Sequence, residues 1–195
     1  FGEKADMYLY LKKKPANNFD LLLGFNNKNS GASKTVQITG QANIDLYNSF
    51  KLGDRLYLHY ENLQESSPRL NFFLDLPYIR LPFGLTTRFD LIKNKDEYIN
   101  FQTQLKLNKT IQQQEELSIV LFNNSSYLLQ VDTVYVKAQQ LLPKSLDFSL
   151  LSYGLAYKLN STNDNFNPTQ GLLLELQALV GTKKFKKNPG ILKFD

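Results

Sequence analysis

The sequence predicts an all-β protein: an antiparallel transmembrane β-barrel, of which these 195 residues form an incomplete portion with about nine or ten strands. Apolar and polar residues alternate with a period of two over most of the chain, which is the periodicity of a strand between two environments. Hydrophobic residues make up 42% of the chain, yet no uncharged run approaches the ~18–20 apolar residues of a membrane helix. Most alternating runs approach the ~9–11 residues that cross a bilayer at a tilt, and aromatic residues lie near their ends.

The stretch 37–46 shows the alternation most clearly. Ile38, Ala42 and Leu46 fall on one face, whereas Gln41 and Asp45 fall on the other. At ~100° per residue the apolar positions would scatter around a helix, so this stretch is predicted to be a strand. The same pattern predicts nine strands, at 19–25, 37–47, 55–61, 70–76, 85–91, 99–107, 117–121, 151–159 and 172–178, with a weaker tenth at 128–142.

Residues that favour turns separate the predicted strands. The turns are expected at 27–33, 52–54, 65–68, 82–84, 93–96 and 160–171. The run Gln112–Glu116 has helix-forming composition, and a polar loop is the equal alternative. The short turns at 52–54 and 82–84 fit the periplasmic side of an outer-membrane barrel.

Alternation alone does not say which face of a strand meets water. A soluble sandwich buries the apolar face between two sheets, whereas a membrane barrel turns it to lipid and lines its lumen with the polar face. The polar faces here are rich in Asn, Gln, Thr and charges of both signs rather than in Lys and Glu alone, which favours the barrel. The predicted lumen-lining residues are Asp45, Arg55, His59, Glu61, Arg88, Asp90, Lys106 and Glu175.

The residues that carry most catalytic and metal chemistry are scarce. The chain has no cysteine and one histidine, which excludes disulfides, thiolate metal sites and cysteine nucleophiles. The histidine, His59, is expected on a polar face between Arg55 and Glu61, where a lumen hydrogen bond is the more common role than that of a general base. No Gly-x-Ser-x-Gly elbow or phosphate-binding glycine loop occurs. We therefore expect no enzyme activity, no catalytic or metal-binding residue and no cofactor.

The chain is moderately basic, with a formal net charge of +5. Lysines are concentrated at 12–14 and at 183–187. Charged strand ends that keep an edge soluble explain such clusters, and contact with phosphate groups of lipid headgroups or lipopolysaccharide is the alternative. Nucleic acid is not expected as a partner.

Two stretches carry a resemblance to a known family. The first runs from Tyr8 through the strand 19–25, a polar loop and the strand 37–47 to the turn Asn48–Asp54. The second joins the strand 151–159 to a loop that contains Asp164, Asn167, Pro168 and Gly171. Together they resemble BamA-like outer-membrane assembly factors, in which a last POTRA domain leads into the first barrel strand. Residues 1–15 would then end a POTRA-like periplasmic domain, and residues 16–195 would be barrel strands and loops.

The chain also departs from that family's pattern. It contains no Arg-Gly dipeptide, so the family's lumen-loop motif is missing, and it ends at Asp195 without a terminal aromatic strand. We therefore expect the chain to be a piece of a longer protein, namely the N-terminal part of the barrel.

The resemblance implies a protein that inserts or translocates other outer-membrane proteins by templating their strands at its first strand, in the outer membrane of a Gram-negative bacterium. It places this seam at Phe19, Asp20, Leu21, Leu22, Leu23, Gly24 and Phe25. The implied partners are outer-membrane lipids including lipopolysaccharide, unfolded outer-membrane protein clients and accessory lipoproteins. A passive, porin-like channel is the alternative function.

Overall fold

The computed structural model describes Tyr8, Tyr10 and residues 16–30, 33–64, 66–80, 82–95, 97–112, 114–129, 147–164 and 167–185. These residues form one antiparallel sheet of nine strands in chain order. The strands are β1 (Asn18–Ser30), β2 (Ser33–Tyr47), β3 (Arg55–Asn62), β4 (Arg69–Arg80), β5 (Phe83–Asn94), β6 (Tyr98–Gln112), β7 (Glu115–Leu128), β8 (Phe148–Asn160) and β9 (Leu173–Phe185). The predicted all-β class and its nine antiparallel strands are therefore confirmed. Within these ranges, no helix is long and apolar enough to cross a membrane.

Several predicted boundaries differ from those of the structure. Phe83 and Gly84, predicted in a turn, belong to β5, because the pairing of β4 shifts between Leu76 and Arg80 and the strand continues almost to the reversal. Pro77, which has no backbone N–H to donate, lies inside this shift. The run 112–116 is the end of the β6–β7 hairpin, so its helical interpretation is wrong.

Two predictions fall largely outside the described residues. The POTRA-like segment 1–15 is described only at Tyr8 and Tyr10, and the weaker tenth strand at 128–142 only at its first two residues. Of those two, Leu128 is the last residue of β7. The domain boundary at residues 15 and 16 therefore stays a prediction.

The register sorts the side chains onto two chemically different faces. Directly opposed residues share a face, and pairs such as Ile44–Leu58 and Phe72–Phe89 place apolar side chains on one side of the sheet. Pairs such as Asn71–Asp90 and Lys158–Glu175 place polar side chains on the other. The sheet curls toward this polar side. As a result, residues of β4 through β9 line a single cavity of about 440 Å³ there. We call the two sides the outer, apolar face and the inner, polar face.

The curl has a cause in the sequence of β7 and β8. Their inner face carries small residues, Ser118, Ser152 and Ala156 among them, and a side chain on Gly154 would collide with the Ala178 carbonyl oxygen of β9. Next to these positions the outer face carries bulky residues such as Ile119, Tyr153 and Leu155. Small side chains inside and large ones outside allow the strands to bend around the polar side.

Burial is the reverse of that in a soluble domain. Among the described residues, Val120 is the single buried hydrophobic side chain, whereas the other buried side chains are Asp54, Asn108 and four serines. Large outer-face residues are exposed, from Phe25 at 72% to Val180 at 70% on the opposite edge. The sheet therefore has no apolar core of its own.

Candidate functional site: the open edge and the inner face

The predicted seam residues lie in β1, one of the two outermost strands of the sheet. β1 pairs with β2 on one side only, so its other side presents backbone groups with no partner among the described residues. The outer-face members of the seam are Phe19, Leu21, Leu23 and Phe25, whereas Asp20, Leu22 and Gly24 lie on the inner face. Leu22, on the polar side of the sheet, is nevertheless 63% exposed.

The connection between β1 and β2 combines a backbone ladder with apolar cross-strand pairs such as Phe19–Ile44 and Phe25–Ile38. Leu23 lies opposite Gly40, which has no side chain to contact, and Gly24 lies opposite Thr39. Just before the strand, Asn17 Oδ1 accepts a hydrogen bond of 2.9 Å from the Tyr47 N–H. Among the described side chains of β1, none forms a hydrogen bond or ion pair with β2. Cross-strand side-chain pairs contribute to a sheet's stability, and those described between β1 and β2 include apolar pairs but no hydrogen bond or ion pair.

The predicted lumen residues all lie on the inner face, beginning with a charged pair between β2 and β3. Arg55 Nε donates to Asp45 Oδ1 and Arg55 Nη2 to Asp45 Oδ2, each at 3.0 Å. The Tyr47 hydroxyl donates to the same carboxylate at 3.2 Å, and the Arg55 guanidinium lies 5.2 Å from the Tyr47 ring centre. This bidentate salt bridge fixes the orientation of two side chains on neighbouring strands.

His59 belongs to a second polar chain on the same face. Its Nδ1 contacts Asn43 Oδ1, and its Nε2 lies 3.5 Å from Glu61 Oε2. Glu61 in turn lies 3.3 Å from Arg69 Nη1 on β4. Both ring nitrogens of His59 are thus occupied by neutral or acidic neighbours, as in a structural hydrogen-bond network.

The middle of the inner face holds a relay of neutral and acidic groups. Asn108 Nδ2 donates to Thr86 Oγ1 at 2.7 Å, and Thr86 Oγ1 donates to Asp75 Oδ1 at 2.8 Å. Asn71 Nδ2 donates to Asp90 Oδ1 at 2.6 Å. These bonds join β4, β5 and β6 across the cavity wall.

Two cations border this relay. The Arg88 guanidinium lies over the Phe73 ring at 5.4 Å, and Lys106 lies one diagonal step away across the β5–β6 ladder. Both line the cavity, together with the Lys158–Glu175 pair, whose charged atoms are 3.5 Å apart. The inner face therefore presents charges of both signs to a water-accessible space.

The predicted loop motif forms a hydrogen-bonded connection between β8 and β9. Asp164 Oδ1 accepts the Asn167 N–H at 3.0 Å, and Pro168 follows directly. Gly171 has a φ of +110°, and a side chain there would collide with the Ser161 carbonyl oxygen. Such a backbone suits glycine alone.

Sequence reasoning missed the role of Asp54. This residue is 1% exposed, and its carboxylate accepts backbone N–H groups from Ser49, Phe50 and Leu52 at 2.9, 2.9 and 3.3 Å. The turn between β2 and β3 is therefore built around a buried carboxylate. The signal was present, because an Asp after a glycine in a tight turn commonly accepts nearby N–H groups.

No arrangement of three or more Asp, Glu or His side chains that could hold a metal ion occurs in the described ranges. Near the cavity, Asp75 accepts a hydrogen bond from Thr86, and Asp90 accepts one from Asn71.

Comparisons with known proteins give a limited result. No protein-family model and no curated protein matches the sequence. One solved structure similar to this chain is the crystal structure of BamA from Haemophilus ducreyi lacking POTRA domains 1–3. The TM-score is 0.47 at 14% sequence identity, over 91% of this chain and 35% of that one.

Proposed function

We propose that the sheet is part of a transmembrane β-barrel in the outer membrane of a Gram-negative bacterium. The observation that carries this proposal is the uncovered apolar face, which lies opposite a curled polar face with a water-accessible cavity. Soluble monomers rarely expose an apolar patch larger than a few hundred Å². Lipid covers such a face at no cost, and a polar lumen solvates the other face.

The strand count supports membership of a larger barrel. β1 and β9 run in the same direction, because neighbouring strands alternate in direction across a sheet of nine. Joining these two edges would create a parallel pair, whereas bacterial outer-membrane barrels are antiparallel with an even number of strands. Further strands are therefore needed to close the barrel.

Within that barrel we assign strand templating to the β1 edge. The lack of a polar side-chain tie to β2 among its described residues, together with its exposed outer residues, supports an edge that opens and accepts an incoming strand. The proposed clients are unfolded outer-membrane proteins, with accessory lipoproteins as further partners. Backbone pairing is the whole of this chemistry, so we propose no cofactor, no metal and no catalytic residue.

Membrane residence is tested by purifying the protein with and without detergent. We expect it to require detergent and to migrate differently on a gel before and after heating, because a folded barrel resists unfolding by cold detergent. A chain that stays monodisperse without detergent would contradict the barrel.

Assembly is tested by pairs of engineered cysteines, which the cysteine-free chain allows. A disulfide that joins β1 to the closing strand of the full-length protein should stop the insertion of other barrels and arrest growth. The matched control joins Leu21→Cys to Ala42→Cys, opposed residues of β1 and β2, and leaves the outer edge of β1 free. Normal insertion with the first disulfide formed would refute the assembly proposal.

A passive channel is the second candidate function. It is favoured by the charged inner face, where Arg88 and Lys106 line the cavity beside Asp75 and Glu175. Single-channel recording in a planar bilayer separates the two candidates. A large, steady conductance, with no loss of other barrels when the protein is depleted, would favour the channel.

A further inference from the structure

The outer face has a polar interruption across its last four strands. Its members are Thr103 of β6, Asn123 and Ser125 of β7, Ser149 of β8, and Thr182 and Lys184 of β9. We call this set the polar strip. It lies on the predominantly apolar side of the sheet, so its residues are not part of the inner face described above.

The register joins the strip through Asn123 and Ser125 of β7, whereas Leu151 separates Asn123 from Thr182. Thr103 lies opposite Asn123, and Ser149 lies opposite Ser125 on one side and Lys184 on the other. The hydroxyls of Ser125 and Ser149 share a hydrogen bond of 3.1 Å. Three strand steps of ~4.8 Å separate β6 from β9, which gives the strip a width of about 14 Å.

The part of the strip on β6 and β7 is bordered by apolar side chains along the strands in both directions. Phe101 and Tyr127, whose rings meet edge to face at 6.0 Å, lie toward the β5–β6 turn, next to the strip. Leu105 and Leu121 lie on the opposite side. Aromatic residues gather at the membrane–water interface, so in the proposed barrel the strip would lie at the boundary between headgroups and acyl chains.

Several donors of the strip have no acceptor among the described residues. The side-chain nitrogen of Asn123 makes no hydrogen bond there, and its oxygen accepts one weak bond of 3.4 Å from Ser125. The Thr103 hydroxyl and the Lys184 ammonium likewise have no partner within the described ranges. A donor left without an acceptor near acyl chains is costly, so a ligand rich in acceptors is favoured at this position.

We propose that the polar strip binds the phosphate-bearing headgroup of a membrane glycolipid. Lys184 supplies the charge for the phosphate, while the amide of Asn123 and the hydroxyls of Thr103 and Ser149 suit sugar hydroxyls. The ~14 Å width exceeds that of one phosphate group and fits a sugar-containing headgroup. The acyl chains would lie along the leucine side chains of the outer face. This inference rests on the proposed location in the outer membrane.

The test uses the full-length protein, purified in a neutral maltoside detergent and titrated with lipid A, a phosphorylated disaccharide lipid. The variant combines Asn123→Leu with Lys184→Gln, which keeps the outer face compatible with lipid. The matched control is Lys109→Gln, which removes a cation from the outer face of β6 at the other end of the strand. The measurement is the lipid phosphate retained per protein after purification, as a function of lipid concentration.

We expect the double variant to bind at least tenfold more weakly than the native protein and the Lys109→Gln control to bind as the native protein does. Inorganic phosphate in excess should displace none of the lipid, because the headgroup and its acyl chains bind together. Equal binding by the double variant, equal weakening by Lys109→Gln, or displacement by inorganic phosphate would overturn the site.

Other outcomes distinguish the lipid site from a dimer interface, and a failure of the lipid site from a failure of the barrel proposal. A dimer that dissociates in the double variant while lipid binding stays unchanged would show a second copy on the strip, and would also overturn it. A protein that is monodisperse without detergent would contradict the proposal of a membrane barrel. A heat-modifiable barrel whose double variant binds lipid A as the native protein does would contradict the lipid site but not the barrel.

Discussion

The two outermost strands of the sheet, β1 and β9, are attached to it in different ways. β9 is joined to β8 by more than its backbone ladder, because Lys158 and Glu175 approach to 3.5 Å and the Lys183 ammonium lies 4.5 Å from the Phe148 ring centre. The connection before β9 adds a network in which Asn163 Oδ1 accepts the backbone N–H groups of Thr169 and Gln170, both at 3.1 Å. Among its described side chains, β1 has no such tie to β2.

The difference suggests that an exposed edge can be either a fixed border or a movable one. Backbone hydrogen bonds are similar at both edges, so the side chains decide how easily each strand separates from its neighbour. A strand that must exchange partners needs few of these ties, whereas a strand that keeps its partner benefits from many. β1 fits the first description and β9 the second.

The largest expected effect comes from the turn that holds the β1–β2 hairpin to the rest of the sheet. Asp54→Ala leaves three backbone donors without their acceptor, and we expect a loss of about 3 kcal/mol in the free energy of unfolding. Urea unfolding in detergent micelles measures it. Asp54→Asn keeps one acceptor oxygen and should lose less. Equal stability of Asp54→Ala and the native protein would show that this turn does not support the hairpin.

A smaller effect is expected from glycine substitutions that compare the two edges directly. Gly171→Ala forces a side chain into a position with a φ of +110° and should cost about 2 kcal/mol by the same measurement. Gly24→Ala in β1 meets only the Thr39 hydroxyl, which can rotate away, so its cost should stay below about 1 kcal/mol. The reverse order would contradict the view that the β8–β9 connection is the rigid one.

The smallest effect is expected from charges at the edges. Lys158→Gln removes an exposed ion pair of β9 and should cost about 0.5 kcal/mol or less, since water screens both partners. Asp20→Asn in β1, where the carboxylate has no partner among the described residues, should leave stability unchanged. Thermal unfolding at low and high salt measures both, and only the Lys158→Gln difference should shrink as salt rises. A loss from Asp20→Asn as large as that from Lys158→Gln would remove this distinction between the edges.

Much of the fold could be predicted from local pattern, because period-two alternation depends on residues two positions apart and the faces follow from it. The inner-face position of residues such as Arg55 and Asp90 came directly from that parity. The contacts between strands could not be predicted, because they depend on register: the pairing of Asp45 with Arg55 and the relay from Asn108 to Asp75 require knowing which residues lie opposite. The strand start at Phe83 was missed because the shift in β4 has no periodic signature.

The candidate site, too, could be predicted from the sequence only in part. The seam was placed in β1 by the resemblance, whereas the lack of polar side-chain ties between β1 and β2 became visible only once the register was known. The polar strip on the outer face also needed the register, because Ser149 and Lys184 lie far apart in the sequence.

The most direct test of the account places a photo-crosslinking residue at Leu21 of β1 or at Leu176 of β9, in the full-length protein during synthesis of another barrel. Both positions are on the outer face and exposed, at 70% and 57% in the described sheet, so accessibility alone does not favour one. The account predicts crosslinks to the incoming barrel at Leu21 at least tenfold more abundant than at Leu176. Equal crosslinking at both positions, or none at Leu21, would contradict the assignment of β1 as the movable edge.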